Sequence, residues 1–372
     1  MNGKQRLLFV DLLRGWALII MIEVHVFNAF LQQNIKDESW FSIVNFVNGL
    51  VAPSFLFVSG FAFILSINKD SQAIDNKLWR KIKRIGLIFS LGYILHIPYP
   101  TLKGIIGKAT PNQLQEFIKV DILQCIAVGL LLLIFLRITI SHEKLFEYTL
   151  LLISVFVIII SPLFWSINFE KFLPIFFAAY FNQKSGSLFP IFPWISFLLA
   201  GSIVCIYYLR FRQNNKENLF INYTIFLGST SAFLSYLILH LNIFSSLSLL
   251  KPNPFFFTER LGIVMLLLSF FWKYTQLRQK DSFVTDVSRE SLLVYFLHLE
   301  IIYSKILGNK SAITLYGGKL NINESIVLTI ILIIAMITVA KVWSYLKKYK
   351  PDAASLIMNQ LFVMAVLYFF IK

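Results

Sequence analysis

The chain has 372 residues, 57% of them hydrophobic and 14% charged, with a formal net charge of +15. A soluble chain of that size and mean hydropathy, +0.72, would lack the polar surface to cover its core, so the sequence predicts an all-α, polytopic integral membrane protein. The positive charge falls mostly between apolar segments, with no basic face carrying interleaved aromatics, which argues against a nucleic-acid partner.

Apolar stretches near 20 residues long give about eleven transmembrane helices. They cover 7–30, 42–67, 82–98, 120–140, 145–165, 190–210, 219–243, 257–276, 287–308, 324–346 and 354–371, with a tight last hairpin at Pro351–Asp352. No fixed-period repeat or linker divides them, so 1–372 reads as one transmembrane domain with no room for a sizeable soluble one. Alternate loops are rich in Lys and Arg: Lys69, Lys77, Arg80, Lys81, Lys83 and Arg84, then Arg137 and Lys144, then Arg210, Arg212 and Lys216, then Lys273, Arg278, Lys280 and Arg289, then Lys347, Lys348 and Lys350. The intervening loops, PYPTLKGIIGKATPNQ, NFEKFLPIFFAAYFNQKSGSLFP and SSLSLLKPNPFFF, are poorer in them. The positive-inside rule then puts the N-terminus in the cytoplasm and the C-terminus outside.

The first span, RLLFVDLLRGWALIIMIEVHVFNAF (6–30), carries Asp11, Arg14, Glu23 and His25 within its apolar run. A cleavable leader would place its charges ahead of that run. Ionisable groups in hydrocarbon cost at least ~2.5 kcal/mol each on insertion scales and by default mark a functional site facing the protein interior. Arg14 and His25 share a helix face, about 16 Å apart along the axis, with Asn28 one turn beyond His25 and Asp11 within i, i+3 reach of Arg14. A neutral imidazole accepts a proton near neutral pH, or an acyl group covalently; Arg14 holds a phosphate, a carboxylate or a developing oxyanion, with Asp11 as counter-ion. Glu23 lies about 200° from His25 around the helix and is assigned to a neighbouring helix.

Span two contains APSFLFVSGFAF, where Ser54, Ser59 and Gly60 allow close helix approach or line a cavity. The motif WRKIKRIG (79–86) sets Arg80, Lys81, Lys83 and Arg84 at the inner end of span three. Arg80 and Arg84, at i, i+4, can grip phosphate from one face, which suits anionic lipid or an anionic cosubstrate such as coenzyme A. His96 sits at the outer end of that span, and span four opens with Asp121 and Gln124 one turn apart. In span nine, SRESLLVYFLHLE, Ser291, Tyr295 and His298 form a polar stripe. Cys125 and Cys205 lie in apolar runs and read as inert thiols; no spacing calls for a metal.

The Arg14-to-His25 spacing resembles the signature of the integral-membrane acyltransferase-3 family. The whole string 6–30 is still more similar to bacterial relatives of heparan-α-glucosaminide N-acetyltransferase, with supporting matches in order at APSFLFVSG (52–60), WRKIKRIG (79–86), DILQ (121–124), FPIFPWISFLLAG (189–201) and SLLVYFLHLEI (291–301). The resemblance implies transfer of an acyl group, usually acetyl, from cytoplasmic acyl-CoA to a hydroxyl or amine of a glycan or glycolipid across the membrane. It makes His25 the base or acyl carrier, Arg14 its positioning partner with Asp11 and Asn28 alongside, and Arg80, Lys81, Lys83 and Arg84 the CoA-phosphate ligands, with Gln124 grouped on the cofactor side. Asp121, Ser54, Ser291, Tyr295 and His298 stand as further site candidates. Where animal lysosomal members carry a proposed active histidine, after the first helix, this chain reads QQNIKDESW, with Asp37 and Glu38, so an acyl-histidine is not expected there. The expected setting is a bacterial inner membrane, with membrane lipids as partners and a homo-oligomer compatible with the chain. A transporter or flippase of a lipid-linked or anionic solute is the alternative reading, although such folds often show internal repeats.

Overall fold

The computed structural model describes residues 7–68, 74–241, 250–278, 280–304 and 310–371, the side chains of 68 and 74–77 excepted. Lys69, the side chain of Lys77, the start of the SSLSLLKPNPFFF loop and the end of the predicted span 287–308 lie outside the described residues. Among the described residues the regular structure is helical apart from a bridged pair, Leu31 with Leu320, and a bridge position at Lys310. Hydrocarbon imposes this, because a spanning segment must satisfy its backbone N–H and C=O groups internally.

Among the described residues, eight helices are long and apolar enough to cross a bilayer: Phe41–Ile67, Ile122–Thr139, Glu143–Ser166, Ile191–Gln213, Glu217–His240, Pro254–Leu277, Ile322–Tyr349 and Pro351–Ile371. The remaining three predicted spans are helical but differ in kind. Leu8–Phe30 and Ile74–Ile94 have 23 and 21 residues and carry the charged positions, while Ser291–Tyr303 has only 13. The helix expected to start at 82 is already under way at Ile74, since Lys and Arg are good helix formers and carry it through the basic cluster. The span expected at 287–308 is broken at Glu290, between Phe283–Arg289 and Ser291–Tyr303. At the tight terminal hairpin only Lys350 separates Tyr349 from Pro351, and proline at a first helical position forfeits no hydrogen bond. Phe135, Ile159 and Phe362 are among many exposed apolar side chains on these helices, surface that lipid covers in a membrane protein.

The contacts divide the chain into two compact units, Met1–Val51, Ile97–Leu114 and Thr275–Lys372 in one and Ala52–His96 and Gln115–Tyr274 in the other. The first unit is organised on Leu8–Phe30. Its Leu13, Ala17, Leu18, Ile22 and Val26 are buried at helical spacing, and it packs against Phe283–Arg289, Ser291–Tyr303 and Ile322–Tyr349. Gly15 permits the first of these contacts, because a Cβ there would run into the Val284 carbonyl and side chain. At the far end of the helix, the Gln32 N–H donates to the Leu320 carbonyl at 3.0 Å and the Leu320 N–H to the Phe30 carbonyl at 2.9 Å.

In the second unit Ile191–Gln213 packs on Glu143–Ser166 and Ile122–Thr139, and Ile74–Ile94 packs on Ile122–Thr139. Gly60 and Gly201 let the helix Val51–Asn68 touch Ile191–Gln213 at backbone distance, each lying against a carbonyl of the other helix, Leu198 and Phe57 respectively. The close approach expected at Gly60 is therefore present.

Candidate active site

His25 and His298 meet. Their ring centres lie 5.3 Å apart with the planes tilted by 53°. His25 comes from the fifth turn of Leu8–Phe30 and is half-buried; His298 comes from Ser291–Tyr303 and is fully buried. The Tyr303 hydroxyl lies 3.3 Å from His25 Nδ1, and the buried Tyr295 ring stands edge-on to His298 with centres 5.8 Å apart. His298 Nδ1 is 2.7 Å from the Val294 carbonyl oxygen one turn earlier. A carbonyl only accepts, so Nδ1 carries the hydrogen.

The other residues of the predicted stripe stand apart from this cluster. Asn28 is exposed, and its carbonyl accepts a 2.9 Å hydrogen bond from Lys36. Ser291 opens the helix two turns ahead of His298. Arg14 lies about 16 Å down the first helix from His25 and pairs loosely with Asp11, Nη1 to Oδ1 at 3.9 Å. There the local neighbourhood is ionic: Arg289 meets Asp281 at 2.6 Å and Asp286 at 3.6 Å. Hydrogen bonding to Asp281, with the Asp286 and Asp11 charges beside it, pushes the Arg289 guanidinium pKa above its ordinary value despite partial desolvation. Glu290, nearly buried, accepts from Lys347 at 2.7 Å, and Arg289, Glu290, Ser344, Lys347 and Lys348 line an open cavity of about 240 Å³. Glu23 points away from His25, as its phase requires, and reaches the neighbouring helix, where the Asn48 amide turned to donate lies 2.8 Å from Oε2.

The second unit holds the remaining candidates. Arg80, Lys83 and Arg84 are exposed; Lys81 is half-buried with Nζ 5.9 Å from the Phe63 ring centre, and Lys83 Nζ is 5.5 Å from that of Trp79. Gln124 is fully buried at the level of Gly92, about 12 Å along the helix beyond Arg84. Its Oε1 accepts from the Asp121 N–H at 3.1 Å and its Nε2 approaches the Lys119 carbonyl, while Asp121 Oδ1 accepts from the Ile122 N–H. The pair thus forms a helix cap, and Gln124 does not stand with the basic cluster. Asp121 Oδ2 also lies 3.4 Å from His96 Nε2. Ser54 is fully buried in Val51–Asn68, its hydroxyl without a hydrogen-bond partner among the described residues. Cys125 and Cys205 are buried free thiols.

Helical phase does not pick out Tyr303, because it falls outside the 291–295–298 stripe. At about 100° per residue it lies about 80° from Tyr295 and about 140° from His298 around the helix, so no signal in the sequence groups it with them.

The family model for the heparan-alpha-glucosaminide N-acetyltransferase catalytic domain matches residues 6–241. The chain belongs to this family. It is a multi-pass membrane acetyltransferase. No curated protein matches the chain. The matched region of the acetyltransferase contains Asp11, Arg14, His25, Ser54, the 80–84 cluster, Asp121 and Gln124, and it ends well before Tyr295, His298 and Tyr303. The histidine pair therefore joins a residue within the family match to one beyond it.

Proposed function

We propose that this acetyltransferase takes its acetyl group from cytoplasmic acetyl-CoA and delivers it to a hydroxyl or amine of an extracytoplasmic glycan or glycolipid, in a bacterial inner membrane. The observation that carries the reading is His25, half-buried on a charged helix inside the family match, with a second histidine and a tyrosine hydroxyl against its ring. Acyl transfer needs a base for the acceptor proton and donors for the developing oxyanion. His25 acts as the base, and Tyr303 is placed to donate beside it.

Arg80, Lys81, Lys83 and Arg84 are the groups that would hold CoA phosphates. Exposed guanidinium groups one helical turn apart fit that task, and they fit anionic lipid headgroups equally well. Arg14 and Asp11 lie toward the expected cytoplasmic end of the first helix and hold the thioester side of the path. His25 lies toward the other end, so donor and acceptor approach from opposite faces and neither crosses whole.

The test is acetyl-CoA turnover and transfer by the purified protein in nanodiscs, beside a His25→Ala variant matched for folding. Free CoA formed by wild type and not by the variant supports the reading. Absence of CoA binding and turnover with several glycan acceptors offered removes it.

A further inference from the structure

His298 is the least expected group in the first unit. It is fully buried on an apolar helix, its Nδ1–H is committed to the Val294 carbonyl at 2.7 Å, and its Nε2 has no hydrogen-bond partner among the described residues. With the hydrogen fixed on Nδ1, an uncharged ring presents a bare lone pair at Nε2. A buried acceptor left unmatched costs about 1–3 kcal/mol, and such groups in folded proteins call for an explanation. The nearest ring that can supply a donor is that of His25.

We propose, resting on the acetyltransfer reading above, that His298 is the positioning residue of His25, the terminus of a one-way hydrogen-bond chain that selects the reactive tautomer. In this chain the Tyr303 O–H donates to His25 Nδ1, His25 Nε2–H donates to His298 Nε2, and His298 Nδ1–H donates to the Val294 carbonyl. The first and last links have the 3.3 and 2.7 Å separations of the structure. The middle link closes by a pivot of the His25 ring from its 5.3 Å, 53° arrangement, in keeping with catalytic hydrogen bonds that tighten when substrate binds.

The geometry assigns the sides of the ring. Nδ1 faces Tyr303, which is 40% exposed, so it is the accessible nitrogen, and Nε2 is the nitrogen left to turn toward the buried histidine. In the reaction, the acceptor displaces the Tyr303 hydroxyl from Nδ1. Its O–H or N–H proton passes to Nδ1 as its lone pair attacks the thioester carbonyl carbon. The C–S bond then breaks, and the departing thiolate recovers that proton from His25 as a thiol. His298 never gains a proton. It holds the Nε2–H tautomer and steadies the transient imidazolium, the part that a carboxylate plays in hydrolytic triads.

The test combines histidine ¹⁵N NMR with kinetics on the full chain in nanodiscs. Wild-type His25 is expected as the Nε2–H tautomer. His298→Asn keeps a donor toward Val294 but no acceptor at the Nε2 position, and it is expected to lower kcat roughly 10²-fold with KM for acetyl-CoA within about twofold. His298→Gln restores an acceptor oxygen there and is expected to recover roughly tenfold of the loss. An Asn variant with wild-type kcat, or a Gln variant no better than Asn, overturns the proposal. A wild-type His25 seen as the Nδ1–H tautomer overturns it without any turnover measurement. A His25 of the expected tautomer in a protein that transfers no acetyl group keeps the chain of hydrogen bonds and removes only the acetyltransfer reading.

Discussion

The imidazole of His25, on the first helix, and that of His298, on a helix far along the chain, share one site with ring centres 5.3 Å apart. Each supplies what the other lacks. His25 is half-exposed and near a hydroxyl, whereas His298 is sealed and anchored to the backbone through Nδ1. The pair converts two isolated polar residues on apolar helices into one site, and the predictions below separate its parts.

Replacing His25 by alanine removes the proposed base. Acetyl transfer is expected to fall by roughly 10²–10⁴-fold in kcat, while thermal stability changes little because the side chain is only partly buried. Single-turnover transfer and a melting curve on the same preparation check both halves.

Gly15 and Gly86 make a matched pair of packing tests. A Cβ at Gly15 would overlap Val284, so Gly15→Val is expected to destabilise by about 1–3 kcal/mol through overpacking. Gly86 has open space around it, so Gly86→Ala is expected to be neutral or to stabilise by up to about 1 kcal/mol through helix propensity. Thermal unfolding in detergent separates the two.

Gln124 caps Ile122–Thr139, both ends of its amide being engaged with local backbone groups. Gln124→Ala is expected to cost about 1 kcal/mol of stability and to leave acetyl-CoA affinity unchanged. A calorimetric titration that showed weakened binding at full folding would return this residue to the cosubstrate site.

Arg80 and Arg84 project from Ile74–Ile94 and are exposed. The double substitution Arg80→Gln, Arg84→Gln is expected to raise KM for acetyl-CoA about tenfold with kcat held, since it removes charge-assisted contacts far from the reacting atoms. Raised salt should produce the same direction of change in wild type. Unchanged kinetics alongside weaker binding to anionic vesicles would make the cluster a lipid anchor.

The membrane class and nearly every helix were legible in the sequence because both follow from local properties. Long apolar runs have one solution in hydrocarbon, and the charges of Asp11, Arg14 and His25 stand out against such a run wherever they occur. The phase of Glu23 likewise settled that it faces away from His25. Failures came where a local property gave way to a neighbour's demand. The break at Glu290, bonded to Lys347, is invisible in an apolar window, and so is the helix cap that Gln124 makes with Asp121. Helical phase put Arg14, His25 and Asn28 on one face, yet in the structure Arg14 is held off by about 16 Å of rise and Asn28, one turn beyond His25, is exposed. Which helix faces His25 was beyond the sequence altogether. That choice rests on how side chains interlock across helices distant in the chain, with Gly15 against Val284 setting the approach and His298 filling the space beside His25, and packing of that kind is a property of pairs of surfaces that no single stretch of sequence contains.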